Sequence, residues 1–518
     1  MTVTGVLLVI SITLIAIFIV RLIQVRRAYL RYKHDCKGLP ILKQTWSLGA
    51  NAKQIFFKTD SFANMESLFR GYGKTFGALL GTQRIAMSID LDLFKTLNID
   101  EQNVHINRDT FYFALTPTDT DCILFAKDDQ WKRIRRAMAP SFTKRSLQAK
   151  NVVGEMDSVI EHLIEAFDKK LDSCGPAGYE FDADDLTGRY ATDLVFSCFY
   201  KQYNVIDYQA EKDRYWGSIK EVAQGLRSPF FEYAIWFPII KPLVTWYAEH
   251  LHLMGSVTRM IMNFITRQTR LNFEAAKQMA ELEKAGAEFN PDDFVMRDGT
   301  RFKRNLVDAT IESFRVGKLT KSEYMNSSFF LFLAGLKTSA DALTKMLYEL
   351  ASHPEEQERL RQSITEDGID SEYMTWCLNE VLRLYPPVPG SCGRTVERDV
   401  QVEGGTIPKG TFVFAPANVI HRLPEYWGPD ANIFRPERWR DTRSFHPMQY
   451  VPFGHGRRIC PGKDFALFEM RKLLVAMMPK YRFDRCYKTC DSVTMTAIYM
   501  VFTIQDAPTY IRVKRLSP

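Results

Sequence analysis

Cysteine is scarce in this chain, nine in 518 residues, an odd number scattered along its length. That excludes a disulfide framework and fits a reducing compartment. Charge of one sign is scarce as well: 68 Lys+Arg stand against 61 Asp+Glu, a formal +7. So mild a balance, without dense basic clusters, excludes a nucleic-acid-binding protein but leaves room for a local basic docking face. Internal repeats and low-complexity segments are missing too. The first twenty residues, Met1 to Val20, contain no charged side chain at all.

That uncharged run has about the length a bilayer-spanning helix needs, and Arg21, Arg26, Arg27, Arg31 and Lys33 follow it. A cleaved signal peptide would carry its charge before the apolar run, so the order favours a retained anchor with the body on the cytosolic side. The expected organisation is a transmembrane anchor over 1–20, a basic linker ending in proline over 21–40, and one globular domain over 41–518. With 46% hydrophobic and 13% aromatic residues, the remainder can bury a large core, as one domain or two intimately packed ones. Apolar residues recur three and four apart through much of 151–360, while "DVQVEGGTIPKGTFVFAP" reads as strands and turns. The fold class expected is mainly α with small β-sheets, α+β.

The stretch Pro452 to Gly462, "PFGHGRRICPG", surrounds Cys460 with glycines and arginines. A thiolate is a strong, soft ligand for a transition metal, and it stays ionised only beside positive charge or N–H donors. Glycines let the backbone approach a flat cofactor, and Arg458 offers a forked hydrogen bond to a carboxylate. Zinc and iron–sulfur sites want several ligands at close spacing, which Cys486 and Cys490 do not supply. Haem held axially by thiolate remains.

Phe453, Gly456, Arg458, Cys460 and Gly462 fill F-x-x-G-x-R-x-C-x-G, which resembles the haem-binding loop of the cytochrome P450 family. Glu380 and Arg383 in "NEVLRLYPP" match its E-x-x-R helix, Arg438 in "FRPERW" the arginine that joins that pair, and Trp131 and Arg135 in "QWKRIRRAMAPSF" its W-x-x-x-R helix. The resemblance spans about Phe56 to Arg512 and is nearest to the animal microsomal group that oxidises drugs, steroids and fatty acids. It implies that Cys460 ligates the iron of haem b, that Trp131, Arg135, Arg394, Arg458 and Arg108 hold its propionates, and that Phe453, Gly454 and Gly462 shape the loop around it. It implies a buried ion network of Glu380, Arg383 and Arg438, and it places His421, a candidate axial ligand on its own, in an ordinary structural segment.

In "FFLFLAGLKTSADAL" the residues Ala334, Gly335, Thr338 and Ser339 match the family's oxygen-handling pattern, with Thr338 as the proton-delivery hydroxyl. Lys337 stands where that pattern has an acid. A lysine donates but does not relay a proton as a carboxylate does. Asp341, four residues on, either pairs with Lys337 or organises relay water. Phe111, Phe113, Phe330, Leu333, Ala334 and Val388 fall where the family lines an apolar pocket. The aromatic stretch Arg227 to Tyr247 either dips into the bilayer surface or lies in the core. The activity implied is insertion of one atom of O2 into a lipophilic substrate, with electrons from NADPH through a separate P450 reductase, cytochrome b5 as a second donor, and the endoplasmic reticulum membrane as location. Only a short tail follows Gly462, so no flavin or nucleotide domain is expected there. Lys132, Arg133, Arg457 and Lys463 are either reductase-docking points or a solvated face. The rival activities are a haem-thiolate isomerase or dehydratase acting on a peroxide without a reductase, and a non-catalytic membrane haem binder.

Overall fold

The computed structural model describes residues 3–43, 51, 61–108, 121–203, 205–210, 213–225, 246, 253–390, 392–491, 495–498, 502–505 and 508–516. In chain order the helices that bear on the site are α1 (Val3–Asp35), α2 (Asp128–Met138), α3 (Lys150–Cys174), α4 (Ala183–Tyr200), α5 (Lys321–Ser352), α6 (Glu372–Leu384) and α7 (Lys463–Met477). The strands that frame them are β1 (Thr75–Leu80), β2 (Gln83–Ser88), β3 (Tyr179–Asp182), β4 (Arg394–Thr395), β5 (Phe412–Phe414), β6 (Tyr481–Asp484) and β7 (Tyr510–Arg515). One sheet has the order β1-β2-β5-β4 and another the order β6-β7-β3. The mainly helical, small-sheet class read from periodicity is the class observed.

Helix α4 is buried along almost its whole length, the mark of a helix enclosed on every side. Its start is fixed by Asp182, whose carboxylate accepts the Asp184 N–H at 3.1 Å, an N-cap. It packs on α5 through a Thr187–Thr344 hydroxyl pair at 2.7 Å and an edge-to-face Phe196–Phe332 contact. Toward α7 it presents Phe199 to Phe465, ring centres 5.1 Å apart. Helix α5 begins in a capping box, Thr320 accepting from the Glu323 N–H while Glu323 accepts from the Thr320 N–H. So α4, α5 and α7 meet in the main core, and the chemistry-bearing residues of α5 and α7 are held against a common wall.

The segment read as a linker over 21–40 is different in kind. Helix α1 runs on to Asp35, and Val25, Tyr32 and Cys36 are fully buried against the first sheet. The Tyr32 hydroxyl donates to the Ile85 carbonyl on β2 at 2.7 Å, and Asp35 pairs with Arg84 at 2.7 Å. Residues 25, 32 and 36 form one apolar helical stripe under the basic residues, and burying it ties the helix to the globular part. At the apolar end of α1, the side chains of residues 3–10 and 14 lie outside the description. Among the described residues no helix is long and apolar enough to cross a membrane.

Candidate active site

The loop before α7 is built by close backbone approach. The Cys460 N–H donates to the Phe453 carbonyl at 2.9 Å and closes the loop. Gly454 and Gly456 have φ of 75° and 67°, a region that disfavours any side chain. At Gly456 a Cβ would stand 1.9 Å from the Asn98 carbonyl oxygen, so the position also needs the missing side chain. Cys460 then sits just ahead of α7. Burial pushes its thiol up, while the Gly462 N–H, then Arg135 and Arg108, pull it back toward the thiolate. These are the donors and cations a metal-binding sulfur requires.

Arg108 and Arg135 act on the sulfur, and Arg108 in turn acts on Arg394 and Arg458. Arg394 donates to the Gly393 and His455 carbonyls, and Arg458 to those of Ile106, Ile123 and Ala126. Arg108 in turn donates to the Arg458 carbonyl at 3.2 Å. Burial, then Arg108, depresses Arg394 to about 9. Burial, then Arg108 and Arg394, depresses Arg458 to about 8, with Asp128 pulling the other way. Guanidiniums keep their protons, so these depressions record burial first and like-charge crowding second, and an acidic group inserted among them would relieve both. Trp131, on α2 one turn before Arg135, lies under the Arg458 guanidinium with 4.3 Å from its carbon to the ring centre, a cation–π support. A flat dianion whose metal meets Cys460 fits this donor set, and haem is such a group.

Behind the loop is the network expected of Glu380, Arg383 and Arg438. Glu380 and Arg383 are fully buried. Arg383 forks onto both carboxylate oxygens of Glu380 at 2.8 Å, and Arg438 donates to one of them at 3.2 Å. Three further participants join it: Trp439 Nε1 donates to Glu380 at 2.9 Å and the Arg435 N–H at 3.0 Å, both from the FRPERW segment, and Asp430, outside any quoted motif, accepts from Arg438. His421 is buried beside this network, its Nε2 accepting from the Val451 N–H. Burial, then Arg383, lowers it to about 3, so it is a neutral structural acceptor rather than a ligand.

On α5 the outcome at Lys337 decides the reading of Asp341. Lys337 Nζ donates to Asp341 at 2.6 Å and to Asp184 of α4 at 3.0 Å. Burial works to lower Lys337, but Asp341 and Asp184 outweigh it and hold it above its usual value. Asp341 is thus committed to an ion pair in the α4–α5 seam, and the pairing alternative is the one realised. Thr338 bonds back to the Ala334 carbonyl at 2.7 Å, the local bond that keeps an intrahelical threonine satisfied. Phe330, Leu333, Ala334 and Val388 are half-buried, and Phe330 meets Phe125 edge to face at 5.8 Å. Phe111, Phe113 and the aromatic stretch 227–247, apart from an exposed Trp246, lie outside the described residues. Of the basic docking candidates, Arg133 is bound to the buried Glu323, Lys132 to Asp129 at 2.8 Å and Arg457 to Asn103. Each is engaged within the chain.

The sequence matches the family model described as Cytochrome P450 over residues 40–511. It is 28% identical over 449 residues to cytochrome P450 3A29 of Sus scrofa, covering 83% of this chain and 82% of that one. It is 29% identical over 437 residues to cytochrome P450 3A5 of Homo sapiens, covering 81% of each, and 29% identical over 433 residues to cytochrome P450 3A13 of Mus musculus, covering 81% and 80%. A match across most of the chain, together with a cysteine loop whose sulfur lies under the influence of arginines, leads to one conclusion: the chain belongs to the cytochrome P450 family and is a monooxygenase of that family.

Proposed function

We propose that the protein is a membrane-anchored haem-thiolate monooxygenase that inserts one atom of dioxygen into a lipophilic substrate of the steroid, fatty-acid or xenobiotic class. The observation that carries this reading is that Arg135 and Arg108 act on the Cys460 sulfur while Arg108 also crowds the buried Arg394 and Arg458. Cys460 Sγ would ligate the iron, and Trp131, Arg135, Arg394, Arg458 and Arg108 would hold the propionates. Haem, when bound, supplies dioxygen binding and reductive O–O cleavage favoured by a thiolate. Phe330, Leu333, Ala334 and Val388 give the substrate an apolar wall and exclude water. Thr338 supplies a hydroxyl at the oxygen-handling segment. Electrons come from NADPH through a separate P450 reductase, with cytochrome b5 as a second donor. Residues 1–20 anchor the chain in the endoplasmic reticulum membrane and 41–518 form the catalytic domain.

Lys337 motivated the reductase-free isomerase reading; it is ion-paired with Asp184 and Asp341, and the rival reading is decided by turnover. The test is turnover of steroid and fatty-acid probes in reductase-containing vesicles under isotopically labelled dioxygen. NADPH-dependent product carrying one labelled oxygen is expected. Product formed only from a lipid hydroperoxide, without NADPH, would replace this reading with the isomerase one, and bound haem with no product from any probe would favour the non-catalytic binder.

A further inference from the structure

The turn that supplies Arg438 to the Glu380 network also faces outward. Pro436–Arg440 form a 3-10 turn, in which side chains three apart eclipse one another. Arg435 and Arg438 therefore fall along one edge, and Glu437 and Arg440 along the next. With Asp441 they border a cavity of about 360 Å³, closed on its other side by Tyr426, Trp427 and Phe445, a size that suits a small ligand. The aromatic wall is fixed before anything enters. Phe445 meets Trp427 edge to face with ring centres 5.1 Å apart, Trp427 Nε1 donates to the Ile420 carbonyl at 3.0 Å, and the Tyr426 hydroxyl donates to the Ile89 carbonyl at 3.1 Å. The acids around the cavity are already matched: Glu437 is paired with Arg359, Asp441 with Arg443 at 2.6 Å, and Asp430 takes Arg435 at 2.9 Å and Arg438 at 3.3 Å. Arg440 is different. It is exposed and rests on the face of Trp376, 5.7 Å from its guanidinium carbon to the ring centre, and no carboxylate pairs with it among the described residues. A guanidinium keeps its charge, so the cavity holds one cation whose forked donors await an anion.

We propose that this cavity is a second small-molecule site, separate from the cysteine loop, for a planar aromatic anion of the carboxylate or sulfonate class. The ring lies along Phe445 and Tyr426, and the anionic oxygens meet the Arg440 guanidinium. The aromatic wall selects a ring, since a compact inorganic anion would leave that apolar surface unfilled. The charge selects an anion, since every acid at the rim has its own arginine and Arg440 has none to face. The site does not depend on the monooxygenase reading. It is silent in sequence because Arg440 is one arginine of several in a polar run, and its aromatic partners come from Tyr426 and Trp427 before the turn and Phe445 after it.

The experiment is equilibrium dialysis of 2-naphthoate against the haem-loaded full chain, with imidazole on the iron to close the substrate pocket, for wild type, Arg440→Ala, Arg440→Lys and Phe445→Leu. The neutral alcohol 2-naphthylmethanol serves as the uncharged counterpart. Wild type should take up one 2-naphthoate per chain with a dissociation constant of about 1 mM or tighter. Arg440→Ala should weaken 2-naphthoate about fivefold or more and leave 2-naphthylmethanol unchanged, and Arg440→Lys should recover part of the loss. Phe445→Leu should weaken both probes alike. Arg440 is exposed, so its variants should fold, and an unchanged spectrum of the reduced carbon monoxide complex checks this. Equal uptake of 2-naphthoate by wild type and Arg440→Ala overturns the proposal, as does 2-naphthylmethanol binding wild type as tightly as 2-naphthoate. The absence of any uptake by wild type overturns it too, and Phe445→Leu binding both probes like wild type removes the cavity as the place of binding. Turnover does not enter the measurement, so failure of the monooxygenase reading leaves this result standing on its own.

Discussion

Replacing Glu380 with glutamine keeps the shape of the side chain and removes its charge. The carboxylate accepts five bonds: two from Arg383, and one each from Arg438, the Arg435 N–H and Trp439 Nε1. A glutamine amide has one oxygen to offer and turns an NH2 toward donors, so at least one face of the network loses its acceptor. Arg438 retains Asp430, but Arg383 keeps only the carbonyls of His421, Ala431 and Ile433, and its buried charge is left without a counter-ion. Breaking a buried pair in this way costs about 3–5 kcal/mol. The loss is read from urea unfolding of the haem-loaded protein, followed by tryptophan emission, since Trp427 lies under the Arg383 guanidinium at 5.0 Å and Trp439 bonds Glu380 directly. Arg438→Lys, which leaves the central fork intact, should cost less, about 1–2 kcal/mol. A Glu380→Gln variant within about 1 kcal/mol of wild type would refute the claim that this carboxylate holds the helix and its following loop together.

Lys337→Met should destabilise by about 3 kcal/mol, because Asp341 loses its ion-pair partner while Asp184 keeps only Lys220, and melting curves should show a larger deficit at alkaline than at mildly acid pH, where the Asp341 carboxylate takes up a proton. Gly456→Ala places a methyl group against the Asn98 carbonyl at a left-handed backbone position and should displace the cysteine loop, seen as sub-stoichiometric haem per chain in the purified protein. Burial raises the Glu469 carboxyl of α7, which gives a pH signature. Its folded value of about 8 lies above the ordinary 4.5, so the folded state holds a proton that the unfolded state releases between those values. Its contribution is therefore fully present below about pH 4.5 and lost as pH rises toward 8, at about 1.4 kcal/mol per pH unit. Glu469→Gln should flatten that part of the difference between the two stability–pH curves, and parallel curves would contradict the burial argument.

The parts of the site that were legible in sequence are those written locally. Phe453 to Gly462 carries its chemistry within one loop, and Glu380 and Arg383 share one helical turn, so spacing alone brings them together. The parts that were not legible are made by long-range packing: Asp184 reaches Lys337 across 153 residues, and Arg108 reaches the Arg458 carbonyl across 350. At 21–40 the arginines between Val25, Tyr32 and Cys36 mask an apolar stripe that the structure buries against a sheet as a helix rather than a linker. The fold class followed from periodicity because helices and short strands leave distinct spacings. The order of strands β1-β2-β5-β4 did not, since β2 and β5 meet in parallel across more than three hundred residues.

The central claim is that Cys460 binds iron as a thiolate. It is tested most directly by the absorption spectrum of the reduced, carbon monoxide-bound protein, measured on wild type and on Cys460→Ser. A strongly red-shifted Soret band in wild type, absent in the folded serine variant, is the predicted result. A folded, haem-loaded wild type whose Soret band matches that of histidine-bound haem, or a serine variant that keeps the red-shifted band, would contradict it.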